Sequence, residues 1–209
     1  EVRICDGVSN LRELGALVNF DMEHYALKRL TLRLFKSIFS EPEFANGPAC
    51  GLALQAYLKD GEADLLDILD WARERQRRVA VRLVKGAYWD YETIIAGQRH
   101  WPVPVFTQKA ETDANFEALS VVLLEHHEVA DAAFATHNVR SMAHVLAQAE
   151  RLDLDPRSFE FQLLYGMADP IKQALLQLDC RVREYSPVGE LLPGMGRLGV
   201  DAIDGRDYP

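Results

Sequence analysis

Short runs rich in β-branched and aromatic residues alternate along the chain with longer runs in which apolar residues recur every three or four positions. The first pattern predicts β-strands, and the second predicts amphipathic α-helices. This alternation calls for a parallel sheet with helical crossovers. The predicted strands are residues 16–21, 52–57, 79–84, 132–136, 159–163 and 181–185. The predicted helices are residues 25–39, 63–76, 113–125, 139–151 and 170–178.

Polar residues lie near the carboxyl ends of the predicted strands. In an open, doubly wound sheet they would gather at one switch point, commonly beside a glycine-rich phosphate loop, but the sequence has neither a GxGxxG motif nor a P-loop. In a barrel the strand ends meet at one mouth. We therefore predict an α/β fold of the (β/α)8 TIM-barrel type, incomplete in this chain because only six strands are clear. These polar residues are Asp21, Gln55, Arg82, Thr136, His137, Gln162 and Tyr185.

The 209-residue chain has the size and composition of one folded domain. Its formal net charge of −9 argues against a general nucleic-acid-binding protein. No apolar run approaches the roughly 18 residues of a membrane span. Cys5, Cys50 and Cys180 lack metal-ligand spacing, which indicates reduced thiols. The histidines form no HExxH-type pair, so we expect no metal site.

The segment 82–89 combines two cations with two aromatic residues at the end of a predicted strand. Arg82 and Lys85 each need a partner, because an unpaired buried charge costs several kcal/mol. Anionic groups of a ligand are natural partners, and Tyr88 and Trp89 offer a stacking surface. The segment therefore predicts the rim of an active site.

Two amides, Gln55 and Gln162, lie in otherwise apolar strands and each needs a hydrogen-bonding partner. The run Thr136-His137-Asn138 follows another apolar strand, where it forms either part of a site or a structural turn. Amides, a threonine and a histidine beside two cations suit a large heteroaromatic ligand that carries phosphates.

Two further positions allow two interpretations each. Asp21 either caps the helix that begins near Tyr25 or pairs with a cation at the barrel mouth. Lys109, Thr112 and Asp113 precede a predicted helix. Backbone amides at this helix start, together with Lys109, would suit a pyrophosphate, while a solvated position for Lys109 fits the spacing equally well.

Six runs of the sequence resemble the proline dehydrogenase family, most closely the proline dehydrogenase domain of the bacterial bifunctional proline utilization A flavoproteins. These runs occur in the family's order between residues 14 and 195, which we assign to one barrel domain. Residues 1–13 form an unassigned segment, and residues 196–209 form a divergent tail or linker. The runs are residues 18–23, 54–58, 82–90, 135–138, 161–167 and 183–191.

The resemblance implies an enzyme that binds FAD and oxidises L-proline to Δ1-pyrroline-5-carboxylate by hydride transfer to flavin N5. It further implies electron delivery to a quinone and a fused pyrroline-5-carboxylate dehydrogenase domain. We expect a cytoplasmic protein that contacts the inner membrane peripherally, with no nucleic-acid partner for this chain.

The resemblance also implies residue roles. Arg82 and Asp21 are expected to be catalytic, with Arg82 near flavin N5. Asp21, Leu83, Tyr88 and Tyr185 are expected to enclose the substrate. The expected cofactor-binding residues are Met22, Gln55, Arg82, Lys85, Gly86, Ala87, Trp89, Thr136, His137 and Gln162.

Two parts of the family pattern have no counterpart in this sequence. One is a substrate-binding lysine on a strand before the Asp21 strand, and the other is an arginine pair on a helix that follows Met195. Residues 196–204 instead contain Gly196, Gly199 and one arginine, Arg197. We therefore expect flavin binding to be retained more readily than proline turnover. Alternatives are a truncated or engineered barrel that binds ligands without turnover and, ranked lower, a Schiff-base aldolase that uses Lys85.

Overall fold

The computed structural model describes residues 14, 16–44 and 46–186. The expected N-terminal segment 1–13 and tail 196–209 lie outside these residues, as do residues 187–195 of the expected barrel domain. The strands are β1 (Leu17–Phe20), β2 (Ala49–Gln55), β3 (Val79–Val84), β4 (Ala130–Ala135), β5 (Glu160–Leu164) and β6 (Arg181–Tyr185). The α-helices are α1 (Tyr25–Phe39), α2 (Gly61–Glu74), α3 (Trp89–Arg99), α4 (Lys109–Glu125), α5 (Val139–Arg151) and α6 (Asp169–Gln177).

The six strands form one parallel sheet in which spatial order equals sequence order, from β1 to β6. Such an order has no topological switch point, which separates it from the open doubly wound sheets. The sheet curls into part of a (β/α)8 barrel, with β1 and β6 as the outer strands of the described residues. The prediction of an incomplete barrel with six strands is confirmed.

Side chains along β3 alternate between the two faces of the sheet. Val79, Val81 and Leu83 are fully buried in the main hydrophobic core, whereas Arg82 and Val84 are partly exposed. This period of two is the geometry of a strand. The same core takes in the buried faces of α1, α2, α4 and α5, so the helices cover one face of the sheet and leave the Arg82 face for a site.

One helix and several boundaries differ from the prediction. Helix α3 was not predicted, because only Glu92 and Ala96 of its side chains are buried while Tyr91 and Ile94 are exposed. Its apolar residues therefore do not form one stripe. Helix α4 begins four residues earlier than predicted, and β2 begins three residues earlier and ends two earlier. Within the described ranges, no helix is both long and apolar enough to span a membrane.

Candidate active site

Arg82 is the centre of the polar contacts at the strand ends. Its Nη1 atom donates a hydrogen bond to Asp21 Oδ1, and its Nε atom donates to Gln162 Oε1 at 2.8 Å. The guanidinium also lies 5.4 Å from the ring centroid of Tyr185, within the range of a cation–π contact. Residues from β3, β5, β6 and the end of β1 therefore meet at one group, as the barrel prediction requires.

Of the two interpretations considered for Asp21, the structure supports pairing with a cation. The residue at the helix boundary is His24, and the Asp21 carboxylate accepts hydrogen bonds from Arg82 and from Asn19 Nδ2. The carboxylate is about half exposed. Water therefore screens the ion pair partly, and its main effect is to orient the guanidinium.

Glu160 continues the polar contacts behind Gln162. Its Oε1 atom accepts a hydrogen bond from Gln162 Nε2 at 2.6 Å and another from Arg183 Nε at 2.8 Å, and its Oε2 accepts from Arg183 Nη2 at 3.0 Å. Burial raises the pKa of the Glu160 carboxyl, but the bonds from Arg183 and Gln162 and the charge of Arg181 together lower it by more. Its pKa therefore lies below the ordinary value, and Glu160 is a carboxylate at neutral pH.

Lys85 is buried just beyond β3 and is bound by a carboxylate of α4. Its Nζ atom lies 2.7 Å from Asp113 Oδ1, and Lys109 Nζ lies 2.6 Å from Asp113 Oδ2. Burial raises the pKa of Asp113, while the hydrogen bonds from Lys109 and Lys85 lower it by more, so the pKa is below its usual value. Lys109 is thus held in an ion pair at the start of α4 and is not simply solvated.

Gly86 packs against an aromatic ring. Its φ of +126° is one that side chains rarely adopt, and a Cβ atom built on it would lie 2.5 Å from Tyr57 Cγ. The backbone of Gly86 therefore approaches the Tyr57 ring closely, and its expected contact with the cofactor stays a prediction. Ala87, the next residue, is partly exposed.

Among the described residues, only the nitrogen side of the buried Gln55 amide has hydrogen-bonding partners. Its Nε2 atom donates to the carbonyl oxygens of Met22 and Glu23, both at 3.1 Å. Its Oε1 atom is buried without a hydrogen-bonding partner among the described residues. The amide thereby joins the end of β2 to the segment after β1, and it keeps one unused acceptor.

The run after β4 forms a turn that leads into α5, which is one of the two interpretations of it, while a role in a site stays a prediction. Thr136 Oγ1 accepts a hydrogen bond from Asn138 N, and Asn138 Oδ1 accepts one from Ser141 N, which caps α5. His137 Nε2 accepts from Leu164 N at 3.0 Å. A neutral His137 consequently carries its proton on Nδ1.

Tyr88 and Trp89 are positioned by the start of α3. The Tyr88 ring lies edge-on to His24 at 4.7 Å between centroids. Trp89 Nε1 donates to Phe106 O at 2.8 Å, and its ring packs against a small cluster that contains Tyr57. Trp89 thus has a packing role in the fold, and the predicted flavin contact stays a prediction.

Leu83 is the expected substrate residue whose position disagrees most with its role. Its side chain is fully buried in the core on the helix-covered face of β3, because adjacent strand residues point to opposite faces. A ligand over Arg82 would lie on the other face. This placement speaks against direct contact with the substrate, and we leave Leu83 out of the site. Met22 is likewise buried in the core, while its carbonyl oxygen holds Gln55.

Glu160 and Asp113 were not identified as site residues from the sequence, although each binds a group that was. A signal for Glu160 existed: it is an acid between two phenylalanines, two residues before Gln162 on the same strand face. The pairing of Asp113 with Lys109, four residues earlier on one helix, was readable from the sequence, whereas its pairing with Lys85 was not, because Lys85 is 28 residues away.

The polar groups at the carboxyl ends of the strands are of the chemical types that suit an anionic, heteroaromatic cofactor such as FAD. Cationic Arg82 and Lys85 suit electron-rich and phosphate oxygens, and the buried acceptor of Gln55 suits a ring N–H group. Among the residues that the structure describes, no cluster of three His, Cys, Asp or Glu side chains suits a metal ion.

Solved structures with a similar fold are proline utilization A (PutA) proteins. The PutA from Bdellovibrio bacteriovorus, in a structure described as inactivated by N-propargylglycine, matches with a TM-score of 0.84 and 50% sequence identity. The match covers 89% of this chain and 19% of that protein. At this identity the likeness extends beyond a shared barrel architecture to sequence.

The proline dehydrogenase family model matches residues 3–199. The chain belongs to the proline dehydrogenase family. The bifunctional protein PutA of Escherichia coli is 33% identical over 187 residues, which cover 85% of this chain and 14% of the relative. The proline dehydrogenase of Deinococcus radiodurans is 27% identical over 183 residues, which cover 87% of this chain and 52% of the relative. The chain therefore spans a small part of the PutA proteins and about half of the shorter enzyme.

Proposed function

We propose that this chain is the FAD-binding barrel of a proline dehydrogenase, which oxidises L-proline to Δ1-pyrroline-5-carboxylate. The observation that carries the proposal is Arg82, held at the carboxyl end of β3 by Asp21 and Gln162. Membership of the proline dehydrogenase family supports the reaction class.

Arg82 is the residue that acts closest to the redox centre in this proposal. When bound, FAD supplies the two-electron oxidant that accepts the hydride at its N5 atom. Arg82 places a fixed positive charge beside the ring, where negative charge develops as electrons arrive. Asp21 and Gln162 hold two of its nitrogen atoms, so little reorganisation is needed during the reaction.

The other strand ends are proposed to hold the cofactor and substrate. Lys85, with Gly86 and Ala87, borders the phosphates. Asp21, Tyr88 and Tyr185 enclose proline on the exposed side of Arg82. The proposed cofactor contacts are completed by Gln55, Trp89, Thr136, His137 and Gln162. Met22 is buried in the core, and we propose that it contributes through its carbonyl oxygen, which binds the Gln55 amide.

The inactivated Bdellovibrio relative supports the substrate class. N-propargylglycine, named in the description of that structure, is an N-substituted amino acid and in this respect resembles proline. A site that accepts it must receive both a carboxylate and a secondary amine. We propose the same pair of groups as the features of the ligand that binds over Arg82.

The wider context of the reaction is part of the proposal. We propose a cytoplasmic protein that passes electrons to a membrane quinone and that is fused, in the full-length chain, to a pyrroline-5-carboxylate dehydrogenase. The relatives described as bifunctional, of which this chain spans 14%, support the fusion.

Flavin reconstitution tests the proposal. The purified chain is incubated with FAD, freed of unbound FAD by gel filtration, and then mixed anaerobically with L-proline. We expect visible flavin absorbance that bleaches on addition of proline. A yellow protein that does not bleach would favour a ligand-binding barrel without turnover. A folded protein that stays colourless would overturn the cofactor proposal.

Arg82→Met and Arg78→Met form a matched pair for this assay, because both arginines lie on or beside β3. Arg78 lies at the other end of the strand, where it pairs with the exposed carboxylate of Asp131. We expect Arg82→Met to slow flavin reduction by about 10²–10³-fold, the size of one lost electrostatic contact in a preorganised site. We expect Arg78→Met to react like the parent chain. Equal rates for the two variants would contradict the role of Arg82.

The aldolase alternative is disfavoured by the contacts of Lys85. An ammonium group bound to Asp113 has no lone pair with which to attack a carbonyl. Borohydride trapping with a keto acid tests this directly, and no covalent adduct on Lys85 is expected.

A further inference from the structure

Two rows of the parallel sheet bring the Arg82 contacts together. In one row, Arg82 of β3 is level with Ala133 of β4 and Glu160 of β5. In the next row, Ala135 of β4 is level with Gln162 of β5. Because β4 presents an alanine in both rows, the Arg82 side chain reaches across it to Gln162, and the Nε to Oε1 distance is 2.8 Å.

The Gln162 amide has a defined direction in this arrangement. Its oxygen accepts from Arg82 Nε, and its nitrogen donates to Glu160 Oε1 at 2.6 Å. If the amide turned over, its NH₂ group would face the guanidinium donors, and its oxygen would face the carboxylate. Both hydrogen bonds would then be replaced by repulsive contacts, because a guanidinium only donates and a carboxylate only accepts. Glu160 thus determines which end of the amide Arg82 meets.

Glu160 is itself fixed from behind. Arg183 donates to both of its oxygen atoms, and Arg181 Nη2 lies 3.3 Å from Oε2. The carboxylate is largely buried, while both arginines are about half exposed. The anchoring charges are therefore solvated, and the buried carboxylate has four hydrogen-bond donors to satisfy it.

We infer that Glu160 is a positioning residue for Arg82 and that Glu160 acts through the Gln162 amide. The consequence for catalysis rests on the function proposed above, while the orientation of Arg82 does not depend on a bound cofactor. Glu160 fixes the amide, the amide fixes the guanidinium at Nε, and Asp21 fixes it at Nη1. Removing the charge of Glu160 releases one of the two hydrogen bonds that hold Arg82.

The structural half of the inference is tested on the full chain without FAD. The probe is the Arg82 Nε–H resonance in ¹H–¹⁵N spectra, assigned by its loss in Arg82→Lys. In Glu160→Gln we expect this proton to shift and to exchange with water about tenfold faster or more, because its hydrogen bond is weakened. In Gln162→Leu we expect the same change, and the double variant should add nothing further, as for residues that act in series.

Glu117→Gln is the matched control. Glu117 also binds an arginine, because Arg140 Nε lies 2.9 Å from its Oε1. However, Glu117 lies on α4, and it is not among the residues that link Glu160 to Arg82. The Arg82 proton should not respond to this change. An unchanged Arg82 proton in folded Glu160→Gln, or additive effects with Gln162→Leu, would overturn the inference. If Glu160→Gln does not fold, Glu160→Asp serves instead, because it withdraws the carboxylate by one methylene, and the same shift is expected.

The catalytic half uses the FAD-loaded chain and L-proline. We expect Glu160→Gln to lower kcat about tenfold with little change in KM, because the orientation of Arg82 affects the charge that develops during the reaction. An unchanged kcat would limit Glu160 to a structural role and overturn the inference. If the chain binds no FAD, the proposed function fails and the Arg82 resonance still decides the inference. If proline bleaches the flavin while the Arg82 proton ignores Glu160, only the inference fails.

Discussion

Gly86→Ala is expected to destabilise the chain strongly, for two separable reasons. The residue has a φ of +126°, which is unfavourable for any residue with a Cβ atom. The added methyl group would also lie 2.5 Å from Tyr57 Cγ and 2.6 Å from both Cδ atoms of the ring. Tyr57 is fully buried, so the ring has no open space into which to retreat.

The magnitude follows from these two terms. A strained backbone conformation costs of order 1–3 kcal/mol. Overpacking by one methyl group in a close-packed interior costs about 1–3 kcal/mol more. The sum is roughly 2–6 kcal/mol, a large part of the 5–15 kcal/mol that typically stabilises a domain. At about 2–4 °C per kcal/mol for a chain of this size, we expect a fall in Tm of roughly 4–24 °C.

Two other glycines provide matched controls for the same substitution. Gly166 has a φ of +74°, but an added Cβ would meet nothing within 4 Å, so Gly166→Ala reports the backbone term alone. Gly97 lies inside α3 without a positive φ and with open space around it. Gly97→Ala should therefore stabilise the chain by about 0.5–1 kcal/mol, the helix preference for alanine.

Urea unfolding followed by circular dichroism measures the free energy of unfolding of the three variants. The expected order of stability is Gly97→Ala, then the parent chain, then Gly166→Ala, then Gly86→Ala. Combining Gly86→Ala with Tyr57→Leu separates the terms, because only the contact with the ring should be relieved. A Gly86→Ala variant as stable as Gly166→Ala would refute the steric part of the reasoning. A variant as stable as the parent would refute both parts.

Three further outcomes follow from individual contacts. The pKa of Asp113 is lowered in the folded chain, so its carboxylate stabilises the fold above the unfolded pKa. This stabilisation is lost as the pH falls through the folded pKa. In Asp113→Asn, Tm should therefore fall less steeply at acid pH than in the parent chain. Asn138→Ala removes the cap of α5 and should cost about 1 kcal/mol in urea unfolding, whereas Asn138→Asp should retain most of it. Lys28→Met leaves Asp60 and Asp64 facing each other without their shared cation, and calorimetry should show a loss of about 1–3 kcal/mol, more than for Lys36→Met, whose pair is more exposed.

The strands and their order were predictable because they depend on local patterns. Two strands joined by a helix lie parallel in the same sheet. When no motif marks a switch point, successive strands are expected to be neighbours in the sheet. All six strands are present, and β3 and β6 have the predicted bounds. Helix α3 was missed for the opposite reason. It buries few side chains, so its sequence carries no amphipathic stripe, and its position is set by contacts such as Tyr25 N to Glu92 Oε1.

The polar strand ends were also predictable, as was pairing with a cation as one of two roles for Asp21, but which side chains pair was not. That Arg82 needs an anion follows from its place in a buried strand, whereas the choice of Asp21 depends on which strands the sheet places across from β3. The same limit applies to Lys85, whose carboxylate partner in the structure is Asp113, 28 residues further along the chain. The sequence indicates that a buried charge needs a partner, but the fold determines which side chain that partner is.

The inter-strand register decides the rest of the site. Glu160 and Gln162 share a strand face by the period of two alone, so the sequence already links them to each other. Their link to Arg82 requires β4 to present alanines at the two intervening positions, and a shift of β4 by one residue would put Phe134 there instead. Phe134 is fully buried in the core, and this burial holds the register. The packing on the helix-covered face therefore determines which polar groups meet on the other face.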